Sequence, residues 1–262
     1  MKCLQPKEIF VKARPTPGFF SLKRSKQWYL VPCGQCYSCM TNRRNEWDLR
    51  LRVEAYNSLC SYFITLTLDN DNVGDFKVVK SHVQDFIRSL RNEYKNTSFR
   101  YYAIGEYGSL GRPHYHILLF ISGELINMVA ALYSHWDKGF VDIGDVNDAS
   151  IHYVTKWHIN PKFSEGKEVH GFSLMSKGIG RDLIDNLTSE NIKPYFTLNR
   201  SSLPVSRYYR KKIGFVVEEQ EDLMDYLVRK YKLKDYSQAV RKHADLIKFQ
   251  EKKLNLNRHK LD

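Results

Sequence analysis

Two histidines separated by one residue are the part of the chain best suited to metal chemistry. His114 and His116 follow a glycine-containing stretch that ends at Pro113, and the apolar run 117–120 comes directly after them. This run favours a strand anchored in the core, and side chains two residues apart on a strand point to the same face. Two neutral imidazoles on one face of a rigid element are suitable ligands for a divalent metal ion.

A nearby carboxylate can complete such a site. Residues 101–106 are predicted to form the partner strand of a hairpin whose turn covers 107–112. If Glu106 lies opposite His114, its carboxylate shares a face with both imidazoles. Two histidines and one carboxylate leave coordination positions open for water or a phosphate oxygen, as in catalytic rather than closed structural sites. The alternative is a chance histidine pair, and the neighbouring carboxylate favours the metal site.

A tyrosine and a lysine follow on a predicted helix for which Asp148 is the expected N-cap. Tyr153 and Lys156 are three residues apart and therefore share a helix face. A phenol is a poor nucleophile until a cation or metal assists it, and tyrosine suits attack on a phosphodiester whose product stays covalently held. The chain has 17 tyrosines, so the pair alone is weak. Its weight comes from following the histidine strand by one helix and one strand.

Cysteines are concentrated near the start of the chain. Cys33, Cys36 and Cys39 form a C-x2-C-x2-C pattern, and Cys3 can supply a fourth thiolate. In a cytosolic chain this spacing indicates metal rather than disulfides. Structural Zn²⁺ is the first interpretation, while an iron–sulfur cluster and reduced cysteines without metal stay open. Cys60 is interpreted as a buried thiol.

The chemistry-bearing residues fall within a regular alternation of predicted elements between Ser61 and Trp157. The order is β-α-β-β-α-β-α: a strand at 62–68, a helix at 83–94, the hairpin, a helix at 124–136, a strand at 140–143 and the tyrosine helix, ending near Pro161. This order predicts an α+β domain with an antiparallel or mixed sheet backed by helices on one face. Thr65 and Thr67 are expected either to line the substrate groove or, more simply, to be ordinary strand residues.

We divide the chain into three parts. Residues 1–58 are a basic, cysteine-rich segment followed by a helix around Trp47 and Leu51, and form a candidate zinc module. Residues 59–162 are the central domain. Residues 163–262 are an irregular basic and aromatic region followed by charged accessory helices.

The net charge of +12 is unevenly distributed. Residues 1–52 hold eleven Lys and Arg against three acids, and residues 191–217 hold six basic residues and no acid, interleaved with aromatic ones that include Tyr208 and Tyr209. Basic side chains beside aromatic rings suit single-stranded nucleic acid, although a merely basic surface is the alternative. Binding to a membrane surface is less favoured. The candidate DNA-binding residues are Arg43, Arg44, Arg207, Arg210, Lys211 and Lys212.

Hydropathy predicts a cytosolic protein. The sequence contains no run of about 18 apolar residues, and its first residues lack the apolar core of a signal peptide.

Taken together, these motifs resemble those of the replication initiator proteins of the gokushovirus branch of the microviruses, within the HUH endonuclease superfamily. Three superfamily motifs match in order: 63–67 (FITLT), 111–116 (GRPHYH) and 153–156 (YVTK). Further similar segments are 32–39 (PCGQCYSC), 172–176 (FSLMS) and 204–209 (PVSRYY). The resemblance therefore covers about residues 3–212.

This resemblance implies an HUH-type fold and the initiation of rolling-circle replication. Tyr153, assisted by Lys156, would nick the viral origin and remain attached through a 5′-phosphotyrosine bond, leaving a free 3′-hydroxyl for the host polymerase and helicase in the bacterial cytoplasm. Mg²⁺ or Mn²⁺ would lie on His114, His116 and Glu106. Family members often carry a second tyrosine one turn earlier, where this chain has Ala149. Closing the circle would then require one tyrosine used twice, or a second subunit.

Two other readings stay open. The same chemistry could serve a plasmid-type initiator, a relaxase or a single-strand transposase. A non-catalytic, zinc-containing nucleic-acid-binding protein is the alternative from another class.

Overall fold

The structure is a computed structural model. It describes residues 2–11, 27–74, 77–108, 110–124, 127–156, 158, 171–186, 195–198, 201–204, 207–212 and 222–259. The chain divides into two compact units, one made of Met1–Asn42 and Val217–Leu256, the other of Arg43–Val216 and Asn257–Asp262.

The described elements, in chain order, are β1 (Lys7–Val11), β2 (Gln27–Val31), α1 (Tyr37–Asn57), β3 (Cys60–Leu68), α2 (Lys80–Glu93), β4 (Thr97–Tyr107), β5 (Pro113–Gly123), α3 (Met128–Ser134), β6 (Gly139–Asp145), α4 (Asp148–Lys156), β7 (Phe172–Met175), a 3-10 helix (Arg181–Asn186), β8 (Tyr195–Leu198), β9 (Ser201–Pro204), α5 (Arg207–Lys212), α6 (Leu223–Tyr231) and α7 (Tyr236–His259).

A five-stranded sheet forms the centre of the larger unit. Its strand order is β6-β3-β5-β4-β7, and every neighbouring pair is antiparallel. The α+β class and the element order from β3 to α4 are confirmed. Strand β7 was not expected, because it lies in the region that the sequence indicated to be irregular.

Helices cover both faces of this sheet, so the expectation of helices on one face is wrong. Ile117 and Leu119 of β5 pack in one apolar cluster with α2 and α3. The alternate residues, Leu118 and Phe120, pack in a second cluster with α1 and α4. The physical reason is visible in the sequence: a strand that is apolar at every position is buried on both sides.

Two element boundaries also differ from expectation. Helix α3 begins at Met128 rather than near Glu124. Asn147, not Asp148, caps α4: the Ser150 N–H donates to Asn147 Oδ1 at 3.0 Å, and the Asn147 N–H donates to Ser150 Oγ at 2.8 Å. This reciprocal pair satisfies two of the donors at the start of the helix. Trp157 and the expected helix end near Pro161 lie outside the described residues.

The smaller unit contains the β1–β2 antiparallel pair and helices α6 and α7. The imidazole of His243 lies 2.6 Å from the Leu4 carbonyl oxygen, and the Gln250 amide donates to Ser38 Oγ at 2.6 Å. Helix α7 therefore packs with residues near the start of the chain. In the described residues, no helix has the length and apolar character that a bilayer span requires.

Candidate active site

Three strands bring the histidines and the carboxylate into one cross-strand row. Glu106 on β4 lies opposite His114 on β5, as expected, and Thr67 on β3 lies opposite His114 on its other side. In the next row His116 lies between Thr65 and Ile104. The two imidazole rings are parallel, with centroids 6.4 Å apart.

Two threonines orient these rings. Thr65 Oγ1 is 3.1 Å from His116 Nδ1, and Thr67 Oγ1 is 3.2 Å from His114 Nδ1. These contacts fit imidazoles that are protonated on Nδ1, which leaves Nε2 as the metal-binding atom. The sequence offered a signal for this role, because Thr-x-Thr and His-x-His have the same spacing on strands that turn out to be neighbours.

The hairpin turn leaves space beside His114. A Cβ atom added to Gly108 would lie 2.8 Å from His114 Nε2. Gly111 has a φ of 78°, a left-handed conformation that favours glycine. Arg112 donates to the Leu68 carbonyl oxygen at 2.6 Å and ties the turn to the end of β3. The Gly-rich sequence is therefore a local requirement of the site.

The tyrosine of α4 lies on the same side of the sheet as the imidazoles. Its hydroxyl donates to Glu106 Oε1 at 2.5 Å and lies 3.4 Å from His116 Nε2. The ring of Phe63 contacts both residues, with its centroid 5.7 Å from that of His116 and 6.2 Å from that of Tyr153. The side chain of Tyr153 is thus held at the site while 44% of the residue stays exposed.

Electrostatics keep this phenol protonated in the structure. Burial raises the pKa of Tyr153, and both the hydrogen bond to Glu106 and the carboxylate charge raise that pKa further. A proton acceptor for the hydroxyl is therefore already in contact with it.

The donor set fits a divalent ion in its chemistry. Nε2 of His116 lies 3.4 Å from Glu106 Oε1, so these two atoms are close enough to share one ion. Among the described residues, however, the cysteine cluster is the only group of three or more candidate ligands whose donor atoms all lie within 4.8 Å of one another. Binding an ion with His114 as well requires the three side chains to move closer together.

Lys156 and Ala149 lie on the same helix as Tyr153, and both are exposed. The structure records no hydrogen bond or ion pair between Lys156 and any described residue. Ala149 occupies the position at which related proteins often have a second tyrosine.

The basic candidates are placed on two helices. On α1 Arg43 is exposed, whereas Arg44 is partly buried and its Nε has no hydrogen-bond partner among the described residues. On α5 Lys211 and Lys212 are exposed. Arg207 and Arg210 belong to the same helix, but their side chains lie outside the described part of the structure.

Two of the aromatic residues expected to stack on bases serve the core instead. Tyr209 is fully buried, and its hydroxyl donates to the Gly180 carbonyl oxygen at 2.9 Å. The ring of Tyr208 lies 3.9 Å from the guanidinium carbon of Arg50. These rings are occupied by contacts within the protein.

Four cysteines form a second candidate metal centre. The sulfur atoms of Cys3 and Cys36 are 3.8 Å apart, and those of Cys33 and Cys39 are 3.9 Å apart. Backbone N–H groups of Cys33 and Cys36 donate to the sulfurs of Cys3 and Cys33, each at 3.3 Å. The cluster can hold a metal ion. Cys60 is not part of it and is a partly buried free thiol.

The thiols of this cluster differ in acidity. Burial raises the pKa of Cys33, but hydrogen bonds from the backbone of Gln35 and Cys36 outweigh it and bring that pKa to about 7. Burial raises the pKa of Cys36 and Cys39. These thiols are described without an ion; a bound cation would stabilise their thiolate forms.

Comparison with known proteins places the chain among phage replication proteins. Residues 61–160 match the family model of the ORF2-type replication-associated proteins. The replication-associated protein ORF2 of Spiroplasma virus 4 is 30% identical over 180 residues, which cover 57% of this chain and 55% of that protein.

Two further relatives have the same kind of name. The replication-associated protein ORF4 of Chlamydia phage 1 is 23% identical over 78% of this chain and 58% of that protein. The replication-associated protein VP4 of Bdellovibrio phage phiMH2K is 26% identical over 80% of this chain and 76% of that protein. The chain spans little more than half the length of the first two relatives. The chain is thus related to the replication-associated proteins of the microviruses, as its motifs predicted.

Proposed function

We propose that this chain is a metal-dependent, site-specific DNA endonuclease and strand transferase that starts rolling-circle replication of a phage genome inside its bacterial host. The observation that carries the proposal is the contact of the Tyr153 hydroxyl with Glu106 and His116 on one face of the sheet. The antiparallel sheet, with the histidine strand β5 at its centre, supports assignment to the HUH-type fold.

The chemistry follows from the residues in contact. The Tyr153 oxygen attacks the phosphorus of a DNA phosphodiester and forms a P–O bond to the 5′ side, while the bond to the 3′ oxygen breaks. The phenol proton passes to Glu106, and the leaving 3′ oxygen takes up a proton from solvent. The product is a 5′-phosphotyrosine and a free 3′-hydroxyl that host polymerase and helicase can use. Attack of a 3′-hydroxyl on this link later rejoins the displaced strand.

A divalent ion belongs to the proposal. His114 and His116 would hold it through Nε2 and Glu106 through its carboxylate, with Mg²⁺ or Mn²⁺ as the candidates. When bound, such an ion polarises the phosphoryl oxygen as a Lewis acid. Thr65 and Thr67 fix the imidazole rings, Phe63 packs beside the nucleophile, and Lys156 adds positive charge near the DNA backbone.

The test is the formation of a covalent adduct. Labelled single-stranded fragments that tile the phage genome encoding the chain are incubated with the protein and Mn²⁺, and mass spectrometry locates the modified side chain. Tyr153→Phe is expected to abolish the adduct. Tyr56→Phe is the matched control, because Tyr56 is 89% exposed on α1 and remote from this chemistry.

Two results would contradict the proposal. An undiminished adduct in Tyr153→Phe would reject the nucleophile. No cleavage by the wild type with any divalent ion, together with DNA binding that is unchanged in His114→Ala, would instead support a non-catalytic nucleic-acid-binding protein. If cleavage occurs, a neighbouring capsid gene would separate a phage initiator from a plasmid initiator, a relaxase or a transposase.

We also propose that the four cysteines bind a structural Zn²⁺. A tetrahedral ion with Zn–S bonds of about 2.3 Å separates its sulfurs by roughly 3.8 Å, close to the measured 3.8 and 3.9 Å. An iron–sulfur cluster inserts several iron and sulfide atoms between the cysteine sulfurs and needs wider spacing. Metal analysis is expected to give one zinc per chain in the wild type and in Cys60→Ser, and none in Cys36→Ser. Visible absorbance of an iron–sulfur cluster, or a chain free of metal, would overturn this assignment.

A further inference from the structure

A chain of charged side chains joins α1 to α4, the helix that carries Tyr153. Asp48 is 6% exposed, and its Oδ2 accepts a hydrogen bond from Arg52 Nε at 2.8 Å. Asp48 Oδ1 lies 3.2 Å from Nδ1 of His152. The second arm of the Arg52 guanidinium pairs with Asp148. Two successive turns of α1 therefore contact two successive turns of α4.

The attachment points decide what this network can do. Asp148 is the first residue of α4, and His152 immediately precedes Tyr153. A nine-residue helix that buries only a few apolar side chains can otherwise rotate about its axis. The tyrosine hydroxyl is roughly 9 Å from that axis, so a rotation of about 20° would move it on the order of 3 Å. Such a movement exceeds the length of its hydrogen bond to Glu106.

The energetics favour a geometric role over a stabilising one. A buried ion pair gives little net stability, because removing the charges from water offsets their attraction. Here Asp48 Oδ1 also lacks a well-formed hydrogen bond among the described residues. An apolar contact between the two helices would serve packing at least as well.

We propose that Asp48 and Arg52 are positioning residues that fix the rotation of α4 and so hold the nucleophile against Glu106. They act through His152 and Asp148 and do not contact the reacting atoms. This inference rests on the proposed nicking reaction for its kinetic consequence. Its structural consequence, the placement of the Tyr153 hydroxyl, can be measured without DNA.

The kinetic test compares Asp48→Asn with Asp85→Asn. Asp85 forms an exposed ion pair with Arg88 on α2 at the opposite face of the sheet, and its variant is expected to behave as wild type. Asp48→Asn keeps the side-chain shape. It is expected to lower the adduct rate at saturating DNA roughly ten- to hundredfold, because small misplacements of a reacting group have effects of this size. The DNA concentration for half-maximal rate should change less than twofold.

A double variant tests the route. If Asp48 acts through His152, then Asp48→Asn combined with His152→Gln should react no more slowly than Asp48→Asn alone. Restoration of the rate by Asp48→Glu would support the requirement for a carboxylate. Wild-type adduct rates in Asp48→Asn would overturn the inference.

A spectroscopic readout keeps the inference testable whether or not DNA is cleaved. The chain is labelled with 3-fluorotyrosine, and its Tyr153 resonance is assigned by its loss in Tyr153→Phe. Asp48→Asn is expected to shift or broaden that resonance, whereas Asp85→Asn should leave it unchanged. An unmoved resonance in Asp48→Asn would overturn the positioning role. Failure of the wild type to form an adduct, with the resonance shifted, would count against the proposed function alone.

Discussion

At the residue scale, the site combines ligands that a sequence reveals with supports that it conceals. Thr65 and Thr67 each contact an imidazole Nδ1, so each ring is held by a neighbour on another strand. Partners of this kind fix the tautomer and orientation of a metal-binding histidine. We therefore expect the affinity of the site for its ion to depend on two hydroxyl groups that never touch the ion.

Replacement of Thr67 by Val tests this dependence. Valine keeps the branched shape on the strand but removes the oxygen that faces His114. Loss of such a partner typically weakens metal binding by about 10- to 100-fold, and we expect a loss of that size in a Mn²⁺ titration followed by calorimetry. The control is Thr97→Val, which removes a strand hydroxyl that donates to the Glu124 carbonyl oxygen instead. Equal Mn²⁺ affinity in Thr67→Val and wild type would show that the hydroxyl is dispensable.

The glycine beside His114 gives a second prediction. A methyl group at Gly108 would lie 2.8 Å from His114 Nε2, a separation that forces the ring to move. Gly108→Ala is therefore expected to reduce Mn²⁺ affinity severalfold and to slow adduct formation. Gly144→Ala is the control, since a methyl group there meets no atom within 4 Å. If Gly108→Ala titrates like the control, the ring has room that the structure does not show.

How much of the site could be predicted depends on sequence separation. The opposition of Glu106 and His114 could be predicted, because one short turn joins their strands. The contact of Thr67 with His114 could not, because a helix and another strand intervene between β3 and β5. The contact between Asp48 and His152 joins helices that are far apart in the chain and leaves no local pattern. Local periodicity reports which face a residue takes, but not which distant element covers that face.

At the element scale, β5 and α4 show why these limits arise. An uninterrupted apolar run predicted a core strand correctly, yet the same run hid the fact that two helical layers cover it. The N-cap of α4 was misplaced by one residue, because Asn and Asp are both good caps and stand side by side at 147 and 148. The element order survived both errors, since it depends on periodicity and not on the boundaries.

Residues just beyond α4 form a buried aromatic cluster with a pH-sensitive member. His158 Nε2 lies 2.7 Å from the Tyr102 hydroxyl, and the ring of Trp47 lies over His158. Burial, with a smaller effect from Arg43, lowers the pKa of His158 to about 4. The neutral imidazole is therefore the form that the folded state prefers.

The pH dependence of stability follows from this preference. Between the ordinary histidine pKa of about 6.5 and the folded value, only the unfolded chain takes up the proton. The free energy of unfolding should therefore be fully retained above pH of about 6.5 and fall as the pH drops towards about 4, by at most roughly 3 kcal/mol. His158→Gln is expected to flatten this part of the profile in urea denaturation at neutral pH and at two mildly acidic values. A parallel decline in variant and wild type would assign the effect to other groups.

At the scale of the whole molecule, charge and metal coincide in the smaller unit. Met1–Asn42 and Val217–Leu256 contain sixteen Lys and Arg against nine Asp and Glu, which gives +7 of the net charge of +12. The cysteine spacing predicted the grouping of Cys3 with the C-x2-C-x2-C segment. The presence of α7 in the same unit could not be predicted, because its contacts with Leu4 and Ser38 join residues more than 200 positions apart.

Zinc removal should therefore act on one unit and spare the other. The smaller unit has few fully buried apolar side chains, among them Leu227 and Ala239, so a metal that ties four cysteines together would supply much of its folding free energy. After chelation of the full-length chain, hydrogen exchange followed by mass spectrometry should show loss of protection at residues 2–10, 33–42 and 236–256. Protection in β3, β4 and β5 should persist, because their core contains no cysteine ligand.

The matched variants make this prediction specific. Cys39→Ser should lose protection in the same segments without a chelator, whereas Cys60→Ser should exchange like the wild type, since Cys60 lies outside the cluster. Restored protection on addition of Zn²⁺, but not Mg²⁺, would identify the thiolate site as the cause, because Mg²⁺ prefers oxygen ligands. Unchanged exchange at 33–42 after chelation would mean that the smaller unit folds through its apolar contacts alone, and the cysteines would then have no structural metal to hold.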